Sequence, residues 1–300
     1  MEQLTIIDKI NAHIEATGTS QNKVASAIGI SPSALSTWLN GTYKGSVEQV
    51  NERVVEYLET VKERSQKSPT KVMVVETSAF RSIRQFCGLV LRDSEFGLLI
   101  GPAGFGKTTS LKEFMKHHKS CIMVEADDGY TARILFQEIN DKLGLETKGN
   151  LHDLITRAIE KLEDSGRLII IDEAEHLPIK ALESIRRLHD KAGIGVILAG
   201  LPRLQKNITG DMTHFAQILS RLGAFCRIDG LTDPDVELIA SKSIPELTSE
   251  MASILAKESK RNARVLSKLV RWCVRLMTNN NIPLSIDVIE QARSLITVAR

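Results

Sequence analysis

The chain has 300 residues, 42% of them hydrophobic, with 39 Lys and Arg against 37 Asp and Glu, a net charge of only +2. That length permits two or three domains with ample core. The near-neutral balance means that any nucleic-acid contact rests on local patches. Four scattered cysteines without a C-x-x-C pair argue against a zinc site and fit a reducing compartment. No apolar run approaches 18 residues and no signal pattern opens the chain, so a soluble, cytoplasmic protein without a membrane partner is expected.

Residues 1–64 read as a small all-helical domain. Leu4, Ile7, Ile10 and Ile14 recur at helical spacing. A second helix, capped by Thr19 or Ser20, turns Val24, Ala25 and Ile28 inward. Gly29 makes a turn, and Ser31-Pro32 starts a third helix with Leu35, Trp38 and Leu39 on one face. Helix, Gly-containing turn, helix is the helix-turn-helix pattern. Its outward residues Ser33, Ser36, Thr37 and Asn40 are small and polar, suited to a DNA groove, and Tyr43 and Lys44 are placed to touch phosphate. Protein docking remains the alternative use of this motif. A fourth, acidic helix over residues 46–64 is expected to face solvent. Residues 65–78 read as a linker, leading into a helix over 79–92.

The apolar run Phe96 to Ile100 ends in Gly101-Pro102-Ala103-Gly104-Phe105-Gly106-Lys107-Thr108-Thr109. The G-x-x-x-x-G-K-T spacing is that of a phosphate-binding loop. Gly101, Gly104 and Gly106 are expected to let the backbone turn so that N–H groups line one concavity. A helix opening at Lys107 brings its positive end to the phosphates. Lys107 is expected to reach the outer phosphates of ATP and Thr108 to hold Mg²⁺. His117 and His118, further along that helix, read as solvated surface.

A second apolar strand ends in Asp172-Glu173. Asp172 is placed to organise Mg²⁺ and Glu173 to polarise the attacking water. Strands at 96–100, 121–125, 168–171, 194–199 and 225–228 alternate with helices at 107–118, 131–143, 151–164 and 179–191. Such alternation means an α/β core with a doubly covered parallel sheet, here over 79–230. From Thr232 the alternation stops, and four helices over 231–300 form a helical lid.

A phosphate loop, an Asp-Glu strand end and a helical lid together resemble the AAA+ ATPases. Against that pattern Arg221, just before the last strand, is an arginine-finger candidate, with a plain surface Arg as the alternative. Arg264 is positioned to link the lid to the nucleotide of its own subunit. Alternatively it belongs to a basic stripe with Lys257, Lys260, Lys268, Arg271 and Arg275 that suits DNA phosphates. AAA+ proteins usually place a polar residue at the end of the fourth strand. Here Ile194-Gly-Val-Ile-Leu-Ala-Gly200 runs into Leu201. Either Arg203 or Gln205 substitutes, or hydrolysis is slow.

Within the AAA+ proteins the chain resembles the phage Mu B-like target-selection ATPases of DNA transposition. The residues that carry the likeness are Val24-Ala-Ser-Ala-Ile-Gly-Ile-Ser31, Val75-Glu-Thr77, the phosphate loop and Ile170-Ile-Asp-Glu-Ala-Glu-His-Leu177. Asn207-Ile-Thr-Gly210, Phe215-Ala-Gln-Ile-Leu-Ser-Arg221 and Ala263-Arg264 extend it. The resemblance implies ATP-driven assembly of a helical homo-oligomer on double-stranded DNA with little sequence preference. That filament would present target DNA to a transposase, which stimulates ATP hydrolysis. A helicase-loader-type AAA+ protein and an ATP-gated helix-turn-helix transcription regulator are the competing readings.

Overall fold

The computed structural model describes residues 2–67, 74–210 and 220–296. The chain forms two compact units, residues 1–73 and 74–300.

In the first unit, α1 (Glu2–Thr17), α2 (Gln21–Ile28), α3 (Pro32–Leu39) and α4 (Val47–Lys67) surround one small core. Ser31 caps α3 by accepting the Ala34 N–H at 3.1 Å, and Pro32 occupies the first helical position, where its missing N–H costs nothing. Gly29 ends α2 at φ 75, which makes the sharp turn between the two helices. Trp38, Leu35, Val24, Ala25 and Ile10 are fully buried. The Trp38 indole N–H donates to Asn51 on α4 at 3.1 Å, so the large side chain is buried with its polar group satisfied. The acidic helix does not simply face solvent. Val50 and Val54 of α4 are buried in the core, while Glu48, Glu52, Glu56 and Glu59 lie on its exposed side. Apolar residues four apart made it amphipathic beneath its charges.

The second unit is built on five parallel strands, β1 (Phe96–Ile100), β2 (Cys121–Glu125), β3 (Leu168–Asp172), β4 (Gly195–Gly200) and β5 (Leu222–Arg227), in the order β2-β3-β4-β1-β5. Strands covered on both faces read as continuous apolar runs, and β1, β3 and β4 are buried at every position. Alternate residues face alternate layers. Leu99, Leu168 and Ile170 pack with α5 (Ser78–Asp93) and α6 (Lys107–His117). Leu98, Ile100, Ile169 and Ile171 pack with α7 (Ala132–Lys142), α8 (Leu151–Leu162) and α9 (Ile179–Ala192). Edge strand β5 starts three residues before the expected Phe225, because Leu222 and Ala224 alternate with exposed positions rather than forming an apolar run. A short helix not anticipated from the sequence, α10 (Pro202–Gly210), follows β4 directly.

The helices α11 (Asp233–Ala240), α12 (Ser249–Glu258), α13 (Ala263–Asn280) and α14 (Ile286–Ile296) share a separate core that includes Val236, Leu255, Leu266, Leu269 and Ile289. Buried Asp235 stitches this lid to the sheet domain. Its carboxylate accepts the N–H of Ser78 at 2.7 Å and the hydroxyl of Ser78 at 2.5 Å, and closes a capping box with Thr232. No helix among the described residues is long and apolar enough to cross a membrane.

Candidate functional site

The phosphate loop leaves the end of the central strand β1 and enters α6. Gly104 and Gly106 have φ of 85 and 89, the left-handed region where a side chain is strained. Gly101 differs from the expectation: its role is close approach, since a Cβ there would lie 2.9 Å from the Ile228 carbonyl on the chain leaving β5. Lys107 is buried and folds back on the loop, donating to Gly101 O at 2.6 Å and Pro102 O at 3.1 Å. Burial lowers its pKa, and the carboxylates of Asp172, Glu175 and Glu173 oppose that shift. The fields of three acids therefore converge on this lysine.

Asp172 ends β3, with β4 lying between it and β1. Thr108 Oγ1 nevertheless donates to Asp172 Oδ2 at 2.5 Å, so the two predicted metal-holding residues meet. Burial raises the Asp172 pKa against the opposing pull of Thr108, the Glu173 N–H and Lys107. A hydroxyl and a carboxylate at the foot of a phosphate loop are the hard oxygen donors that Mg²⁺ takes. The glycine-lined concavity, the opening of α6 and Lys107 fit a polyphosphate beside it. Glu173 follows in the left-handed conformation at φ 53, uncommon for a residue with a side chain, and its side chain is half exposed beside this cleft.

Three residues around Glu173 were not singled out as a group by sequence. The Glu175 side chain is 2% exposed and accepts the Leu201 N–H at 3.1 Å. A Cβ on Gly200 would lie 2.3 Å from the same carboxylate, so Gly200 gives Glu175 its space. His176 pairs through Nδ1 with Asp128, from the loop after β2, and accepts at Nε2 from Arg203 Nη2 at 2.9 Å. The cue available in the sequence was the run Glu173-Ala-Glu-His176 itself.

The lid reaches the loop directly. Asn262 Nδ2 donates to Ala103 O at 2.8 Å, and the Arg264 N–H donates to Gly104 O at 3.0 Å. This places Arg264 at the edge of the cleft, with an exposed side chain whose charge is felt by Lys107. Of the basic stripe, Arg264, Lys268, Arg271 and Arg275 line one side of α13, and Arg275 lies 5.0 Å over the Trp272 ring.

Arg221 is not in its own cleft. β1 and β5 run parallel with Phe96 opposite Leu222, so Arg221 sits at the strand end away from the loop, a strand length of about 16 Å. Its Nε donates to Asp190 of α9 at 2.8 Å, and Asp190 also takes Arg186 at 2.5 Å. Residues 215–219 of the Phe215–Arg221 stretch lie outside the described residues. Of the two helix-end histidines, His118 departs from a solvated role: it stacks on Phe114 with ring centroids 3.9 Å apart.

In the first unit, Ser33, Ser36, Thr37, Asn40 and Lys44 are exposed. Thr37 Oγ1 donates back to Ser33 O and Ala34 O, leaving its oxygen as an acceptor. Tyr43 is half-buried and packs on the core with its ring over Gly45.

With this geometry established, residues 90–208 match the model of a family described as an AAA domain. The Mu-like prophage FluMu DNA transposition protein B of Haemophilus influenzae is 30% identical over 79% of this chain and 84% of its own length. The chain belongs to the transposition protein B family of Mu-like phages. Another member, the ATP-dependent target DNA activator B of Escherichia phage Mu, is 26% identical over 76% of this chain and 74% of its own length. Among solved structures, the ADP form of the Aeropyrum pernix ORC2 protein aligns with a TM-score of 0.57 at 15% identity, covering 77% of this chain and 72% of that one. A Thermotoga maritima RuvB variant aligns at 0.51 and 16% identity, covering 73% and 70%. These two share the fold: a P-loop AAA+ parallel sheet with flanking helices. The fold and family expected from the sequence are thus both borne out.

Proposed function

We propose that this chain is an ATP-dependent, largely sequence-nonspecific binder of double-stranded DNA. It assembles as a filament on target DNA and delivers that DNA to a transposase, in the bacterial cytoplasm. Gly101 to Thr109 and Arg264 hold ATP; Thr108 and Asp172 hold Mg²⁺. A magnesium ion held there would supply charge neutralisation for a bound polyphosphate. Glu173 takes a proton from the attacking water, and Lys107 moves from its loop carbonyls to the phosphates. Hydrolysis is slow and is stimulated by DNA and transposase.

The observation that carries this reading is the separation of Arg221 from its own phosphate loop. A residue at that end of the sheet acts on a nucleotide only in another subunit. A shared site makes the contact head-to-tail, and a heterologous contact that does not close generates a helix. The names of the family members supply the target-DNA role. Residues 1–64 act as a DNA-contacting domain through Ser33, Ser36, Thr37, Asn40 and Lys44, with Tyr43 buttressing the turn. The expected linker 65–78 narrows to the segment between α4, which runs to Lys67, and α5, which opens at Ser78; residues 79–230 serve as the ATPase core and 231–300 as the lid.

Electron microscopy of the full chain with ATP, Mg²⁺ and random-sequence duplex DNA tests the proposal. Helical filaments that require ATP are expected. Closed rings on single strands, or a footprint confined to one operator, would contradict it.

A further inference from the structure

The end of β4 carries no side-chain donor, and its backbone is committed as well. Leu201 is aliphatic, and its N–H is donated to buried Glu175 at 3.1 Å. Two residues on, in the first turn of α10, Arg203 extends back toward the cleft. Its Nη2 donates to His176 Nε2 at 2.9 Å, and its Nε lies 3.9 Å from Glu175 Oε1. His176 Nε2 is also 3.9 Å from Glu173 Oε2. The other imidazole nitrogen, Nδ1, is paired with Asp128, a carboxylate acceptor that fixes the proton on that side. Nε2 is then a bare acceptor. It cannot donate to Glu173, and a lone pair facing a carboxylate needs a cation between or beside them. Arg203, hydrogen-bonded to that same nitrogen, brings a positive charge to this side and approaches Glu173 across the imidazole rather than by an ion pair of its own.

We propose that His176 and Arg203 are positioning residues for Glu173, with Arg203 supplying from α10 the polar group that the end of β4 lacks. The inference deepens the ATPase reading above and rests on it. Asp128 holds the imidazole, the imidazole holds the guanidinium, and the charge of this pair acts on the Glu173 carboxylate across His176 Nε2. Glu175 keeps the start of α10 in register by gripping the Leu201 N–H and facing Arg203 Nε.

The test compares the full-length wild type with Arg203→Ala, Arg203→Lys, His176→Ala and the Arg203→Ala/His176→Ala double variant, with Glu173→Gln as control. ATP turnover is measured with Mg²⁺ and duplex DNA, and ATP affinity separately with a fluorescent nucleotide. The ¹⁵N shifts of His176 are read on nucleotide-free protein. Turnover is expected to fall about tenfold or more in each single variant, as for a misplaced catalytic group, with affinity within about twofold of wild type. The lysine variant recovers part of the loss. The double variant is no slower than the slower single, as for two residues acting as a unit. His176 shows a protonated Nδ1 and a bare Nε2. Wild-type turnover in both single alanine variants, a loss confined to affinity, or a protonated Nε2 would each overturn the proposal. If the wild type hydrolyses ATP and Glu173→Gln does not, such a result sinks only the positioning pair. If the wild type neither binds nor hydrolyses ATP, the ATPase reading falls and this inference with it.

Discussion

The side-chain amide of Asn262 donates to the Ala103 carbonyl at 2.8 Å, while its oxygen accepts the N–H groups of Arg264 and Val265. One residue therefore caps the lid helix α13 and grips the phosphate loop. Asn262→Ser separates the two duties, because a serine caps well but is too short to reach Ala103. Thermal stability should change by less than about 1 kcal/mol, whereas ATP affinity falls severalfold. Calorimetric unfolding and nucleotide titration on the same variant check this.

Glu173→Gln should leave ATP affinity intact and reduce turnover by about 10²–10⁴-fold, the usual contribution of a general base. Thr108 and Asp172 are untouched by the change, so nucleotide and metal still bind. ATPase assays beside nucleotide titration give both numbers. Filaments on DNA should last longer.

Asp235 predicts an acid-sensitive joint between lid and core. Burial pushes its pKa up, but the Ser78 hydroxyl and N–H together with Thr232 outweigh that, and the net shift is downward. A carboxylate depressed in the folded state adds stability fully present above the unfolded value of about 3.9, lost as pH falls through the folded value. The gap in unfolding free energy between wild type and Asp235→Asn should be flat from neutral pH to about 5 and close below about 4. At neutral pH, Asp235→Ala should cost about 1.5–3 kcal/mol, as for hydrogen bonds to a charged group. Denaturant titrations across that pH range are the measurement.

DNA affinity should fall steeply with salt and vary little among random duplexes, because phosphate contacts dominate. Removing residues 1–64 should weaken DNA binding and leave ATP binding unchanged. Filter binding over a salt series checks the first expectation, and nucleotide titration of the truncated chain the second.

What the sequence disclosed was local. Phe96–Thr109 and Leu168–Glu173 each hold their chemistry within one strand and its following turn, and burial on both faces writes those strands as apolar runs. The parts that stayed hidden depend on partners far apart in the chain. Arg203 meets His176 across 27 residues, and Asn262 meets Ala103 across 159, distances over which no spacing rule operates. Pro202 takes the first position of α10, where a residue needs no N–H partner, so a helix follows β4 directly. Gly101 looked like a turn glycine but answers to the Ile228 carbonyl, a contact that only the β1–β5 pairing creates.

The central claim is that one subunit's Arg221 completes another's nucleotide site, and ATPase complementation tests it most directly. Lys107→Ala removes the phosphate grip but keeps Arg221; Arg221→Ala keeps a complete cleft but lacks the arginine. Each alone should be nearly inactive on duplex DNA. Mixed, they should recover turnover, with a maximum at intermediate ratios, as the Lys107→Ala subunits lend Arg221 to the intact clefts of their neighbours. A mixture that never exceeds the sum of its two components at any ratio, while both variants remain folded and bind DNA-associated wild type, would contradict a shared site.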